Sequence, residues 1–246
     1  MKLRFTKMQG CGNDYIYFDT FEQTVPDPAL VSVRLSDRRF GIGGDGVILI
    51  GLSNVADGKM TMFNADGSEG KMCGNGVRCV GKYLHDSGRA KKPVVTVETK
   101  SGIKTLELTV ENGLCTAAKV DMGPPKLHPS DIPCTLEGES VINRAVEIAK
   151  GIHNITCVSM GNPHCVLFLP EIAGLDLEKI GPAFEHSPLF PERVNTEFVK
   201  VIDPAHLEMR VWERGSGETL ACGTGACAVA VAAVENGVSP RNEDIF

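Results

Sequence analysis

The sequence has no long apolar run and no excess of basic residues. No uninterrupted apolar segment approaches the roughly 20 residues that a membrane-spanning helix needs, so we expect no membrane protein. The net charge is -6 and no lysine or arginine run stands out, which argues against a nucleic-acid binder. The N-terminus, Met1–Thr6, alternates like a β-strand and lacks the apolar region of a signal peptide. We therefore expect a cytoplasmic protein.

Motifs for common cofactors are also missing. The cysteine spacings do not build the two knuckles of a structural zinc site, and no paired histidines follow them. The glycine-rich segment 41–46 lacks the G-x-G-x-x-G spacing and the βαβ context of a dinucleotide-binding loop, so it is interpreted as a tight turn. No motif for pyridoxal phosphate is present. The sequence therefore predicts a protein without metal or organic cofactor.

Cysteine is unexpectedly frequent. The chain contains nine cysteines, and in a chain of 246 residues without a signal sequence they indicate reduced thiols. A single cysteine is usually a small buried hydrophobic residue. We expect that role for seven of them, namely Cys11, Cys79, Cys115, Cys134, Cys157, Cys165 and Cys227. Cys73 and Cys222 differ because they belong to a repeated motif.

The chain repeats itself once, at an offset of 149 residues. Cys73-Gly74-Asn75-Gly76 and Cys222-Gly223-Thr224-Gly225 are related by this offset (222 − 73 = 149). Gly12-Asn13 and Gly161-Asn162 share it. Two separated motif pairs with one offset and no gap indicate two homologous halves.

Helical periodicity follows each cysteine motif. Val77, Val80 and Leu84 recur at helical spacing before a stop at Ser87-Gly88. The run 226–234 is apolar on every face and ends at Asn236-Gly237, which predicts a helix buried on all sides. Alternating or β-branched segments predict the strands Val94–Glu98, Thr105–Val110, Thr156–Val158, Val166–Leu169, Phe198–Val201 and Leu207–Val211.

These elements predict an α+β fold with two pseudo-symmetric domains, each a curved, mostly antiparallel sheet wrapped around a central helix. The strand pattern stops near Val120, where proline becomes frequent, so we expect domains at 1–120, with Cys73, and 121–246, with Cys222. The offset would place a counterpart of Val94 at position 243 (94 + 149). We therefore expect the second domain to lack the last strands and to have an open sheet edge.

The two cysteines suit proton transfer at an amino-acid α-carbon. One thiolate can remove the proton while one thiol supplies another from the opposite side, and a repeated fold can deliver matching groups. The reference pKa of cysteine, about 8.5, makes a thiolate accessible near neutral pH. Each motif precedes a helix, whose N-terminus stabilises a thiolate and can bind a carboxylate.

Beyond this pattern, the sequence resembles the diaminopimelate epimerases, which are cofactor-independent two-cysteine enzymes. The resemblance covers nearly the whole chain. The matching segments are Lys7-Met8-Gln9-Gly10-Cys11-Gly12-Asn13-Asp14-Tyr15, residues 39–46, Phe63-Asn64-Ala65-Asp66-Gly67-Ser68, Met72-Cys73-Gly74-Asn75-Gly76-Val77-Arg78-Cys79, Gly161-Asn162-Pro163-His164, Arg193-Val194-Asn195, Trp212-Glu213-Arg214-Gly215 and Ala221-Cys222-Gly223-Thr224-Gly225.

The resemblance implies an isomerase of lysine and peptidoglycan-precursor biosynthesis that converts LL- to meso-diaminopimelate and forms a homodimer. Cys73 then resembles the base and Cys222 the acid. The implied substrate-binding residues are Asn13, Asn64, Gly74, Asn75, Asn162, Asn195, Glu213, Arg214, Gly223 and Thr224. His164 and Glu213 resemble groups that tune the thiols.

Two other functions stay open at this point. Proline racemase has a similar fold and also uses paired cysteines, but proline offers no distal carboxylate to Arg214. A thiol redox protein would instead use a Cys73–Cys222 disulfide, and it would leave stereocentres unchanged.

Overall fold

The structure is a computed structural model, and it describes residues 2–246. The chain divides into two compact units, of which unit 1 ends at Asp121 and unit 2 begins at Met122. Each unit combines a mostly antiparallel sheet with two α-helices, which confirms the predicted α+β class. The strand expected over Met1–Thr6 was misplaced: the first strand begins at Thr6, and Met1 lies outside the described residues.

Unit 1 contains an eight-stranded sheet. Its strands follow the order β1-β2-β3-β4-β6-β7-β8, with β5 beside β4, and the pairs β2/β3 and β4/β6 are parallel. The elements are β1 Thr6–Gly10, β2 Asn13–Asp19, α1 Pro28–Ser36, β3 Gly46–Gly51, β4 Gly58–Asn64, β5 Glu69–Gly70, α2 Gly74–Asp86, β6 Val94–Thr99, β7 Gly102–Glu111 and β8 Leu114–Val120.

Unit 2 contains a six-stranded sheet. Its order is β14-β13-β12-β11-β10-β9, and β11/β12 is the parallel pair. A short 3₁₀ turn at Pro129–Asp131 precedes it. The elements are β9 Arg144–Ile148, β10 Gly151–Ser159, β11 Pro163–Phe168, α3 Leu177–Glu185, β12 Asn195–Asp203, β13 His206–Glu213, β14 Gly217–Thr219 and α4 Gly223–Glu235.

The 149-residue repeat holds for the elements and for the strand register. Helices α1 and α3 are related by this offset at both ends, as are α2 and α4. Tyr15 pairs with Gly46 between β2 and β3, and His164 pairs with Asn195 at the equivalent place between β11 and β12. The predicted repeat is therefore present in the backbone pairing as well as in the sequence.

Each sheet buries both of its faces, which explains why its inner strands are apolar at consecutive positions. In β2, Tyr15 and Tyr17 face the core that contains α2, whereas Ile16 and Phe18 face the core beside α1. Side chains alternate between the faces of a strand, so a strand with two buried faces reads as a continuous apolar run. This packing places the central helix, and the cysteine that precedes it, against the middle of the sheet.

Helix α4 is not buried on all sides, so that prediction was wrong. Ala226 is exposed, and Ala230 and Val234 are only half-buried. The equivalent face of α2 is buried because strands β6, β7 and β8 cover it; a Cβ on Gly81 would lie 2.7 Å from a methyl of Leu106. Among the described residues of unit 2, no strands equivalent to β6–β8 cover α4.

The sheet edge at β13 is partly occupied. The N–H of Leu207 donates to the carbonyl of Phe246 at 2.8 Å, and the N–H of Phe246 donates to Ala205 at 2.8 Å. By the 149-residue offset, Leu207 and Phe246 correspond to Gly58 and Val97, and these two residues pair between β4 and β6 in unit 1. Strand β14 covers another part of the edge, so the expected open edge is interrupted at both of these points.

Helices α2 and α4, with 13 residues each, are the longest helices in residues 2–246. None of the described helices combines the length and apolar character that crossing a bilayer requires.

Candidate active site

Cys73 is the N-cap of α2. Its backbone is extended (φ -130°, ψ 118°), and its sulfur accepts a hydrogen bond from the N–H of Gly76 at 3.3 Å. The first amides of a helix lack intrahelical acceptors, and the positive end of the helix dipole favours a negative charge there. The sequence therefore places a thiol where the backbone can stabilise a thiolate.

Asn13 and Tyr15 surround the Cys73 thiol. The S–H of Cys73 donates to Oδ1 of Asn13 at 3.3 Å, and Nδ2 of Asn13 donates to Asp45 at 2.6 Å. Asp45 thus fixes which end of the Asn13 amide faces the sulfur. Burial and the neighbouring Cys73 raise the pKa of Tyr15, so the phenol beside the thiol stays neutral.

The other predicted residues of unit 1 lie at the start of α2 and the end of β4. Gly74 and Asn75 form the first turn of α2, where Arg78 donates to Oδ1 of Asn75 at 2.7 Å and so fixes that amide. Asn64 ends β4, and its Nδ2 donates to the hydroxyl of Ser68 at 3.0 Å.

Cys222 is the N-cap of α4 with the same geometry. Its backbone is extended (φ -120°, ψ 110°), and its sulfur accepts from the N–H of Gly225 at 3.4 Å. Gly223 and Thr224 form the first turn. The hydroxyl of Thr224 lies 3.5 Å from the Cys222 sulfur and accepts from Nδ2 of Asn162 at 3.2 Å. The two units therefore present a thiol in the same backbone setting.

A buried His–Glu pair lies beside these groups in unit 2. His164 Nδ1 is 2.7 Å from Oε1 of Glu197, and His164 Nε2 is 3.1 Å from Oδ1 of Asn162. Both His164 and Glu197 have no exposed surface. Hydrogen bonds thus connect the Glu197 carboxylate through His164, Asn162 and Thr224 to the sulfur of Cys222.

Glu213 is the second carboxyl group near Cys222. It lies at the end of β13 and accepts a hydrogen bond from the hydroxyl of Thr219. Burial raises the pKa of Glu213. Burial also raises the pKa of Cys222 well above its usual value, and the charges of Glu213 and Glu197 add to this effect. In this setting the Cys222 sulfur is therefore a thiol rather than a thiolate.

Asn195 supports Arg214 through the backbone. Oδ1 of Asn195 accepts from the N–H of Arg214 at 2.9 Å, and its Nδ2 donates to the carbonyl of Pro163 at 2.8 Å. Asn195 is buried, so both ends of its amide are occupied within the protein. The guanidinium of Arg214 donates to the carbonyl of Glu192 at 2.9 Å.

Glu185 also anchors this turn, and the sequence did not reveal it. Its carboxylate is buried and accepts from Trp212 Nε1 at 2.7 Å, from the N–H of Gly215 at 2.9 Å and from Arg193 at 3.3 Å. These bonds fix the backbone on both sides of Arg214.

Sequence reasoning also missed Asp45 and Glu197. Glu197 could have been noticed, because it is a charged residue that corresponds by the repeat to the apolar Ile48 (197 − 48 = 149). Nothing in the sequence distinguished Asp45 from an ordinary turn residue. No group of three or more His, Cys, Asp or Glu side chains in residues 2–246 is placed to hold a metal ion.

All nine cysteines are thiols rather than halves of disulfides, and the expectation that seven are small buried residues needs correction. Cys79, Cys115, Cys157 and Cys165 are buried, but Cys134 and Cys227 are half-buried and Cys11 is exposed. Cys11 and Gly12 form the two-residue turn between β1 and β2, and both have the positive φ (54° and 83°) that such hairpin turns favour.

A family model described as diaminopimelate epimerase matches residues 5–128 and 156–245. The chain belongs to the diaminopimelate epimerase family. This confirms the resemblance inferred from the sequence and the prediction that the chain is an enzyme of the isomerase class.

Curated diaminopimelate epimerases are similar over almost the whole chain. The protein from Acetivibrio thermocellus is 58% identical over 243 residues, which are 99% of this chain and 87% of the relative. The protein from Desulfovibrio desulfuricans is 54% identical over 249 residues, again 99% of this chain and 87% of the relative.

Solved structures with lower identity share the fold of the diaminopimelate epimerase family. A probable proline racemase from Agrobacterium radiobacter K84 has a TM-score of 0.67 and 16% identity, and the match covers 100% of this chain and 80% of that one. At this identity the likeness concerns the fold alone.

Proposed function

We propose that the chain interconverts LL- and meso-diaminopimelate with two thiols and no organic cofactor. One observation carries the proposal: Cys73 and Cys222 are the N-caps of equivalent helices, and each sulfur accepts an N–H bond from the third residue after it. A duplicated fold thus supplies two acid–base groups with equivalent local geometry, as a reaction with one base and one acid requires.

The proposed reaction exchanges the α-proton at one stereocentre. The Cys73 thiolate removes the proton of the L-centre and becomes a thiol, and the Cys222 thiol supplies a proton to the opposite face and becomes a thiolate. The roles are exchanged in the reverse direction. The helical first turns at Gly74 and Gly223 offer N–H groups that would bind the reacting carboxylate and stabilise the negative charge that develops on it.

We assign the remaining predicted residues to substrate binding and to tuning of the thiols. Asn13, Asn75, Asn162 and Thr224 lie next to the sulfurs or in the same first turns. Arg214 would grip the carboxylate of the distal centre, since guanidinium binds carboxylate through two parallel hydrogen bonds.

Asn64 and Glu213 would contact the distal part of the substrate. For Asn195, the occupied amide favours an indirect role, in which it positions Arg214. His164 and Glu213 would tune the protonation of the thiols.

The compartment, the oligomeric state and the pathway of the protein are also proposals. Nine thiols without a disulfide are compatible with a reducing compartment, and we propose the cytoplasm. We also propose that the protein forms a homodimer, which the sequence resemblance suggests, and that its product serves lysine and peptidoglycan-precursor biosynthesis.

An epimerase assay tests the proposed function. We expect the reduced protein to convert LL-diaminopimelate to the meso form and to leave L-proline unchanged, because proline has no distal carboxylate for Arg214. Turnover of L-proline with no reaction of diaminopimelate would favour a proline racemase. Turnover of a disulfide substrate with no change at either stereocentre would favour a redox protein.

A further inference from the structure

The repeated fold differs directly beneath the two thiols. A Cβ built on Gly76 would lie 2.6 Å from the δ-methyl of Ile48, and one built on Gly225 would lie 2.7 Å from Oε1 of Glu197. Ile48 and Glu197 are equivalent positions of the repeat, and neither has any exposed surface. The same place therefore holds a methyl group in unit 1 and a carboxylate in unit 2.

The Glu197 carboxylate lies close to the Cys222 sulfur. The same Cβ position on Gly225 is 3.3 Å from the sulfur, so the carboxylate oxygen and the sulfur are at most 6.0 Å apart (2.7 + 3.3). Only glycine at position 225 leaves room for this carboxylate. Two negative charges at such a separation in a buried setting repel each other appreciably, because water does not screen them.

The hydrogen bonding of Glu197 is one-sided. Its Oε1 binds His164, whereas its Oε2 is buried and has no hydrogen-bond partner among residues 2–246. A fully buried carboxylate with one oxygen unsatisfied is costly. Unit 1 has the apolar Ile48 at the equivalent position, so the fold does not need a carboxylate there. We therefore infer that the Glu197 carboxylate has a role other than packing.

The titratable groups that surround Cys222 come from three strands. They are Glu197 on β12, His164 on β11 and Glu213 on β13. The first turn of α4 contributes the Thr224 hydroxyl and the Gly225 N–H, which both stabilise a thiolate. Burial and the two carboxyl groups act in the opposite direction and prevail, since together they raise the pKa of Cys222 well above its usual value.

We propose that Glu197 is a positioning residue that keeps the Cys222 sulfur protonated, so that unit 2 supplies the thiol of the acid–base pair. The assignment of acid and base rests on the proposed function. In unit 1 the equivalent Ile48 brings no charge beneath Cys73, and the neutral Tyr15 takes the place of His164. The two halves thus differ in charge while they keep the same backbone.

The test measures alkylation by iodoacetamide as a function of pH at each cysteine of the full chain, with peptide mass spectrometry as the readout. In the Glu197→Gln variant, the Cys222 curve should move to lower pH by about one unit, which is about tenfold faster alkylation on its rising part. The Cys73 curve should stay where it is. An unchanged Cys222 curve would overturn the proposal, and so would a move to higher pH, which would show that Glu197 does not hold the sulfur protonated.

Matched variants separate charge from position. Glu197→Asp keeps the charge and should restore the parent Cys222 curve, whereas Glu178→Gln removes an exposed charge on α3 and should change neither curve. If Glu197→Gln does not fold, the alkylation curves of the parent protein provide the test. Cys222 must then ionise at higher pH than Cys73, and the reverse order would overturn the proposal. Alkylation needs no substrate. A failed epimerase assay would therefore contradict the proposed function, while the effect of Glu197 on Cys222 could still be measured.

Discussion

Two asparagine side chains next to the proposed acid–base groups are held at both ends of the amide. Asn13 joins Asp45 to Cys73, and Asn162 joins His164 to Thr224. An amide held at both ends has one orientation, so it can present an acceptor or a donor to the sulfur without reorganising during the reaction.

Asn195 gives a prediction at this scale. Replacing Asn195 by Ala removes the partner of the partly buried N–H of Arg214 and of the Pro163 carbonyl, which should lower the free energy of unfolding by about 1–3 kcal/mol. Because the turn that carries Arg214 loosens, we expect KM for diaminopimelate to rise more than kcat falls. Steady-state kinetics and urea unfolding measure the two effects.

The control for this prediction is Asn154→Ala, which removes an exposed amide from β10. It should leave both KM and stability near the parent values. A variant at Asn195 with the KM of the parent protein would remove Asn195 from the positioning of Arg214.

The central helices show how equivalent elements can differ in packing. Helix α2 uses Val77, Val80 and Leu84 in its core, and Gly81 lets Leu106 approach it. Helix α4 packs Ala228, Val229 and Ala232 against strands of its own sheet, and its other face is only half-buried. We therefore expect a larger side chain to destabilise the protein when it is placed on the packed face of α4, as it would on α2. On the half-buried face of α4 the same change should have a smaller effect.

A matched pair of substitutions tests this difference in packing. Ala232 has no exposed surface, so Ala232→Leu forces extra volume into the core and should cost about 1–3 kcal/mol of unfolding free energy. Ala230 lies on the half-buried face, where the same change should cost much less. Equal losses in urea unfolding would mean that the two faces of α4 are packed alike.

The sequence predicted only those helices that have a strong local pattern. Helices α2 and α4 were predicted because a turn motif precedes a long periodic or apolar run. Helices α1 and α3 were missed, since each has nine residues and α3 contains Pro182, which breaks the usual helical pattern. The repeat would have related them to each other but would not have identified either as helical.

The candidate site was predictable where it belongs to a motif. Cys73, Cys222 and their glycines stand out by the shared offset, whereas Glu185 and Glu197 depend on tertiary packing that brings distant strands and helices together. The uncovered face of α4 was missed for a related reason: an apolar run predicts burial, but what covers it is decided by strands elsewhere in the chain.

At the scale of the whole chain, duplication explains why two cysteines have the same backbone setting 149 residues apart. Divergence between the halves then explains why they need not have the same protonation, with Ile48 in one unit and Glu197 in the other. In the proposed reaction one sulfur donates a proton while the other accepts one, and both features would serve it.

In the proposed reaction both sulfurs exchange protons with one α-carbon. The most direct measurement is epimerisation of LL-diaminopimelate in deuterium oxide under reducing conditions, followed by mass spectrometry and NMR. We predict deuterium at one α-carbon of the meso product, and a loss of about 10²–10⁴-fold in epimerisation rate for Cys73→Ala and for Cys222→Ala. Either single variant epimerising at the rate of the parent protein would contradict the two-thiol reaction.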